Sequence, residues 1–157
     1  MGLYPKHAAE YVMQCGIPVG PQSKIFVVDP QSGHGSDSNT GLSFKSPLAT
    51  IAAAEELCTA NHNDVVLVVG GPTGNALAAA ITWDKAYTHL VGMSAPLAIG
   101  QRCRITGSAA LDLATLITFS GAGCIVKNVQ FQNGSDAAAI KSAAVVSGDY
   151  CYFENCQ

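Results

Sequence analysis

The last part of the chain repeats itself. Residues 116–130, LITFSGAGCIVKNVQ, slide by 27 positions onto residues 143–157, AAVVSGDYCYFENCQ. Five of the fifteen pairs are identical: Ser120/Ser147, Gly121/Gly148, Cys124/Cys151, Asn128/Asn155 and Gln130/Gln157. A fainter copy lies upstream, where Gly100-Gln101-Arg102-Cys103 matches Gly121-Ala122-Gly123-Cys124 at an offset of 21. Self-similarity at a period of roughly 20–50 residues is the mark of a solenoid. Short apolar runs alternate with turns inside this period and no helical pattern fits it, so the predicted solenoid is built from β-strands. Each coil then stacks on the last at about 4.8 Å through parallel pairing, and equivalent residues form files. Cys103, Cys124 and Cys151 are expected in one interior column, and Asn128 and Asn155 in an amide ladder at a tight corner.

The rest of the chain divides around that repeat. Residues 1–22 read as an extended arm with one short helical possibility, Ala8 to Cys15, before Pro18 and Pro21 end regular structure. Residues 23–80 read as a capping segment and first coil. A strand at 24–28 leads into a polar, turn-rich loop, and Ser46 and Pro47 are expected to cap and open a helix. Leu48, Ile51, Ala54 and Cys58 share one face of that helix, which suits it to cover the bare end of a solenoid. An apolar strand follows at 65–69. Residues 81–157 hold the coils, with strands predicted near 88–93, 103–106, 115–119, 124–131, 143–147 and 150–153. At about 25 residues per coil this stretch makes roughly three. It stops directly after a strand, so the β-helix is expected to be incomplete at its C-terminus, as part of a longer protein.

Composition removes several functional classes. Eight Lys+Arg against eleven Asp+Glu leave a formal charge of −3, with no basic surplus to meet phosphates, so no nucleic-acid partner is expected. No apolar run reaches the length of a membrane span, and the N-terminus lacks a signal-peptide pattern. The six cysteines, Cys15, Cys58, Cys103, Cys124, Cys151 and Cys156, include no CxxC pair and no zinc spacing, and read as free thiols packed as small hydrophobes.

The segment FVVDPQSGHGSDSNTGLSFKSPLATIAAAEELC followed by NDVVLVVGG resembles the opening of right-handed parallel β-helix proteins of the pectate-lyase-like superfamily. The matching residues are Ser36-Asp37-Ser38-Asn39 and Gly41, then Ser46-Pro47, Thr50-Ile51, Ala54, Asp64-Val65 and Gly70. THLVGM (88–93) and KNVQFQNG (127–134) are similar to the strands of later coils. Gly70-Gly71-Pro72 departs from the family's usual Gly-x-Tyr. The resemblance implies an all-β, right-handed parallel β-helix with an N-terminal capping helix. It also implies a setting, because this opening is common both in phage appendage proteins and in polysaccharide enzymes.

Catalysis on such a fold needs carboxylates gathered on neighbouring coils. In the 27-residue register Asp149 overlays Ala122, Glu154 overlays Lys127, Asp136 falls opposite Ala109 and Asp112 opposite Ala139, so no carboxylate stacks on another. No catalytic, metal or cofactor residues are therefore assigned. Asp29, Asp37 and Asn39 could hold calcium, but they are equally ordinary turn formers. His34, His62 and His89 read as solvated surface residues, His7 lies in the arm, and Asn133-Gly134-Ser135 is a formal glycosylation sequon. Trp83, Tyr87, Tyr150 and Tyr152 are candidates for a sugar-stacking strip, with Tyr152 expected to pack inward. The chain is thus expected to be a structural virion protein of a bacteriophage: a capsid decoration, head-fibre or tail appendage subunit, made in the host cytoplasm. It would form a homotrimer and attach to capsid or tail proteins through Tyr4, Tyr11, Met13 and Ile17, with a surface polysaccharide as a further partner. Deleting residues 1–22 should abolish attachment and leave the domain folded. The alternative is the N-terminal part of a polysaccharide lyase or depolymerase.

Overall fold

A computed structural model describes residues 4–31, 33–71, 74–94, 103–107, 113–133 and 142–157, with side chains from residue 7 onward. The elements run α1 (Tyr4–Gln14), β1 (Ile25–Val28), α2 (Ile51–Leu57), β2 (Asp64–Val68), β3 (Asn75–Leu77) and β4 (Ile81–Trp83). Then come β5 (Thr88–Gly92), β6 (Arg104–Gly107), β7 (Thr115–Phe119), β8 (Ile125–Lys127), β9 (Gln130–Gln132), β10 (Ser142–Val146) and β11 (Tyr152–Glu154). All the described pairings between strands are parallel.

From β2 onward the strands pass through three sheets in rotation, while β1 lies beside β2 in the first. The first sheet runs β1-β2-β5-β8-β11, the second β3-β6-β9 and the third β10-β7-β4. Each coil thus contributes one strand to every sheet, which is the architecture of a three-sided parallel β-helix. The 27-residue repeat is a true coil: Ala144 pairs with Ile117 and Tyr152 with Ile125. The preceding coils differ in length. Thr88 pairs with Asp64, 24 residues back, and Val126 with Leu90, 36 residues back. Their side chains stack inward as files, Val66-Leu90-Val126-Phe153 from the first sheet and Ile81-Ile117-Ala144 from the third. Phe119 is the hub of the interior. Its ring meets Trp83 at 5.7 Å, Phe131 at 6.4 Å and Phe153 at 5.3 Å between centroids.

The longer middle coil corrects the cysteine column. Cys124 and Cys151 do stand one above the other, immediately before β8 and β11 of the first sheet. Cys103 instead precedes β6 of the second sheet. Gln130 N donates to the Cys103 carbonyl and Gln157 N to that of Val129, so Cys103 files with Val129 and Cys156. The offset of 21 matched two different corners of the coil. The expected strand at 124–131 is also two strands, because Asn128 turns the chain between them in the left-handed conformation at φ 57°. Asn155, at φ 56°, repeats that corner, and its Nδ2 donates to Asn128 Oδ1 at 3.0 Å, which is the expected amide ladder. Strands β3 and β4 fall in a stretch where no strand was expected.

The helix begins later than Ser46-Pro47 suggested. Leu48 stays extended, pairing its backbone with Val27 and bridging Val28, and Thr50 caps α2 through its side chain and Ala53 N. The cause is Asp37, whose carboxylate takes the N–H groups of Ala49 and Thr50 and the Thr50 hydroxyl, at 2.9, 2.9 and 3.0 Å. Those donors are bound before a helix can start there. Ile51 and Ala54 of α2 are fully buried in the main core.

The N-terminal segment is no extended arm. Residues 4–14 form α1, and Ala8, Val12 and Ile17 bury a second apolar cluster on the outer face of the first sheet, over Val65, Leu67 and Val91. Tyr11 donates its hydroxyl to Gly92 O, and Lys127 Nζ reaches the Cys15 carbonyl just past the helix end. The segment is therefore part of the domain's own packing, which alters the expected outcome of deleting it.

Candidate functional site

A β-helix can present chemistry at its corners, on the loops between strands and on the outward face of a sheet. At the corner entering the first sheet, Asn63, Tyr87, Gly123 and Tyr150 occupy equivalent positions, and all four have positive φ, from 53° to 68°. The residue that follows each one bends back to lock the turn. Asp64 accepts from Lys24 N and Thr59 N, the Thr88 hydroxyl donates to Lys85 O, and Cys124 Sγ lies 3.3 Å from Gly121 O. Gly123 has no room for a side chain, since a Cβ there would lie 2.6 Å from the Tyr87 ring. These residues hold the corner together. Asp64, one of the family-like positions, ties β1 to the segment after α2.

The loop acids are used in the same way. Asp37 forms the clasp described above. Asp29 accepts from Gln31 N and meets His34 Nδ1 at 3.2 Å, and Asn39 Nδ2 donates to Pro47 O. The carboxylates of Asp29 and Asp37 thus face backbone donors, the Thr50 hydroxyl and a histidine. Among the described residues no group of three His, Cys, Asp or Glu is placed to hold a metal ion.

On the outward face of the first sheet, Val91, Lys127 and Glu154 stand in file, and Lys127 Nζ pairs with Glu154 Oε2 at 2.5 Å. The hydrogen bond and charge of Lys127 hold the Glu154 carboxyl below its usual range. This is the opposite-charge pair that the register predicts. The pairing of Asp149 with Ala122 also follows from it, whereas Asp112, Asp136, Ala109 and Ala139 lie outside the described residues.

The neighbouring file holds the largest departure from expectation. His89 is not a solvated surface histidine but is 1% exposed, between Val65 and Ile125. Its Nδ1 accepts from Ile125 N at 3.1 Å, and its Nε2 lies 3.3 Å from Asn63 Oδ1. Accepting at Nδ1 requires the proton on Nε2, so the ring is neutral and joins the strand ladder in place of a backbone carbonyl. Burial lowers its pKa to about 4. His34 is exposed as expected, and His7 pairs with Glu10 on the outside of α1.

The aromatic strip does not form. Trp83 is fully buried and donates to Thr88 Oγ1, Tyr87 rests against Gly123, and Tyr150 is 88% exposed. Tyr152 points outward rather than inward, with Lys127 Nζ 5.4 Å from its ring centre. Of the residues proposed to anchor a partner, Ile17 is buried and Tyr11 is engaged with Gly92, so both serve the chain's own sheet. Met13 is 60% exposed, and the Tyr4 side chain lies outside the described residues. Asn133 of the sequon has its Nδ2 bonded to the carbonyls of Leu113 and Ser142. The buried His89 and the left-handed tyrosines had no signal in the sequence, because each depends on which coil lies beside it, whereas Asp37 stood in the family-like loop motif without its partners at Ala49 and Thr50 being legible. No described helix is long and apolar enough to cross a membrane.

Comparison with known proteins places the fold. No family model and no curated protein matches the chain. Among solved structures it is similar to a pectin methylesterase variant in complex with a hexasaccharide, at TM-score 0.59 and 22% identity. It is also similar to pectin methylesterase PemA from Erwinia chrysanthemi, at TM-score 0.57 and 20% identity. Each match covers 83% of this chain and 42% of the other, so the chain spans less than half the length of these neighbours. Three-sheet rotation, parallel register and these neighbours together define a parallel β-helix, the fold that the chain shares with the pectin methylesterases.

Proposed function

We propose that this chain is a non-catalytic β-helix scaffold serving as a structural subunit of a bacteriophage particle, as a capsid decoration, head fibre or tail appendage. The observation that carries the non-catalytic part is the outward face of the five-stranded sheet. Its upper strands are roofed by α1 over Val65, Leu67 and Val91, and its lower strands carry a Lys127–Glu154 pair instead of two carboxylates. A sugar bond flanked by two acids has no counterpart there. The particle setting is supported by the likeness of residues 26–58 and 63–71 to an opening that phage appendage proteins share with polysaccharide enzymes. In this reading residues 1–22 cover the sheet, α2 closes the first coil, residues 81–157 form the shaft, and three copies associate with capsid or tail proteins. Attachment falls to the exposed side of α1, at Met13 and its neighbours, rather than to Tyr11 or Ile17.

A second reading is favoured by the solved neighbours: the N-terminal part of a polysaccharide-modifying enzyme whose site lies in coils that this chain does not span. One pair of measurements separates them. Mass spectrometry of purified particles should recover peptides of this chain at a copy number set by the particle's symmetry. Incubating the full-length product with pectin and with host surface polysaccharide should release no methanol, reducing ends or unsaturated sugar. Absence from particles, or release of any of these products, would overturn the first reading.

A further inference from the structure

Two of the six thiols stand where they can be joined. Cys124 and Cys151 occupy the same corner one coil apart, and the residues after them pair in register. Neighbouring coils hold α-carbons about 4.8 Å apart, inside the range of about 4.4–6.8 Å that a disulfide spans. Both sulfurs turn toward one oxygen. Cys124 Sγ lies 3.3 Å and Cys151 Sγ 3.4 Å from the carbonyl of Gly121. The other thiols lack this geometry. Cys103 and Cys156 are separated by Val129, two coils or about twice 4.8 Å apart, beyond disulfide reach. Cys15 lies on the outer face beside Asn128, and Cys58 is buried beyond α2.

We propose that Cys124 and Cys151 are an oxidation site: a dithiol that closes to a disulfide between coils and staples β11 to β8. With hydrogen peroxide as oxidant, the half-buried Cys151 reacts first. Its thiolate attacks one peroxide oxygen, the O–O bond breaks, and a sulfenic acid and hydroxide result. The Cys124 sulfur then attacks the Cys151 sulfur, the S–S bond forms, the S–O bond breaks, and hydroxide leaves with the Cys124 proton as water. In sum, two thiols and one peroxide give one disulfide and two waters. Burial raises the Cys124 pKa to about 11, so Cys124 stays a thiol while the less buried Cys151 is oxidised. The bond closes a long loop in the unfolded chain and so favours the folded one.

The test uses the full chain, treated with a few equivalents of hydrogen peroxide, quenched with N-ethylmaleimide and digested without reduction. The expected product is one linked peptide pair joining Cys124 to Cys151, with Cys103 and Cys156 recovered as maleimide adducts after unfolding. The melting midpoint should rise by several degrees and return with dithiothreitol. In Cys124→Ser, dimedone should trap Cys151 as its sulfenic acid. The proposal fails if another pair is linked, if Cys151 stays reduced, or if Cys151 advances to sulfinic acid while Cys124 remains a thiol. A linked protein whose midpoint is unchanged or lower would also overturn the staple.

Discussion

His89 shows how a single side chain is defined by the coils around it. Its ring is buried, neutral and bonded through Nδ1 to Ile125 N, so protonation would both break that bond and charge an apolar site. With its pKa lowered to about 4 in the fold, the unfolded chain binds more protons between pH 4 and the ordinary value of 6.5. Stability from this group is therefore complete above about pH 6.5, falls as pH drops toward 4, and levels off below that, a loss of about 3 kcal/mol in all. Urea unfolding at pH 7 and pH 4.5 should show this slope, and His89→Leu should flatten it. Gly123 is a second such position. At φ 68° with the Tyr87 ring against it, Gly123→Ala should cost about 2 kcal/mol or more. The cost should shrink on a Tyr87→Ala background, which a double-mutant cycle in urea would read.

Among the elements, α1 and the loop before α2 carry the most consequence. Helix α1 covers fully buried valines and a leucine of β2 and β5. Each buried aliphatic side chain on either side of that contact is worth about 1.5–3 kcal/mol. Removing residues 1–17 should therefore lower the melting midpoint and expose a patch that binds a hydrophobic dye, contrary to the intact domain expected from sequence. An unchanged midpoint would mean that α1 is only loosely applied. The loop is held by Asp37, which gathers three donors around the start of α2. Asp37→Ala should cost about 1–2 kcal/mol by thermal melting, and Asp37→Asn should recover only part, since an amide offers one oxygen to those donors.

As a whole, the molecule is a stack in which each coil contacts chiefly its neighbours. Stability in such a solenoid is a sum of coil and interface contributions, with the least at a free end. In the 157-residue chain β11 has one paired neighbour, β8, while β5 lies between β2 and β8. Amide hydrogen exchange should accordingly be slowest in 88–92 and markedly faster in 152–154. Equal protection of the two strands would contradict a stack of this kind. The same geometry gives the outward face of the first sheet an opposite-charge pair rather than two acids. Every residue on a face is set by the coil above and below it, and Glu154 falls over Lys127.

The sequence by itself determined the class of fold and the register of its last coils. Stacked coils bring equivalent residues together, so Gly121 with Gly148, Asn128 with Asn155 and Cys124 with Cys151 left a period that is visible in the string. Only the tertiary structure decided what an unequal coil length conceals. The coil joining β5 to β8 spans 36 residues, not 21, so Cys103 moved to another corner and His89 came to lie beneath Ile125. It also decided that α1 folds back onto the sheet, because the amphipathic pattern of a helix says that one face is buried but not against which surface.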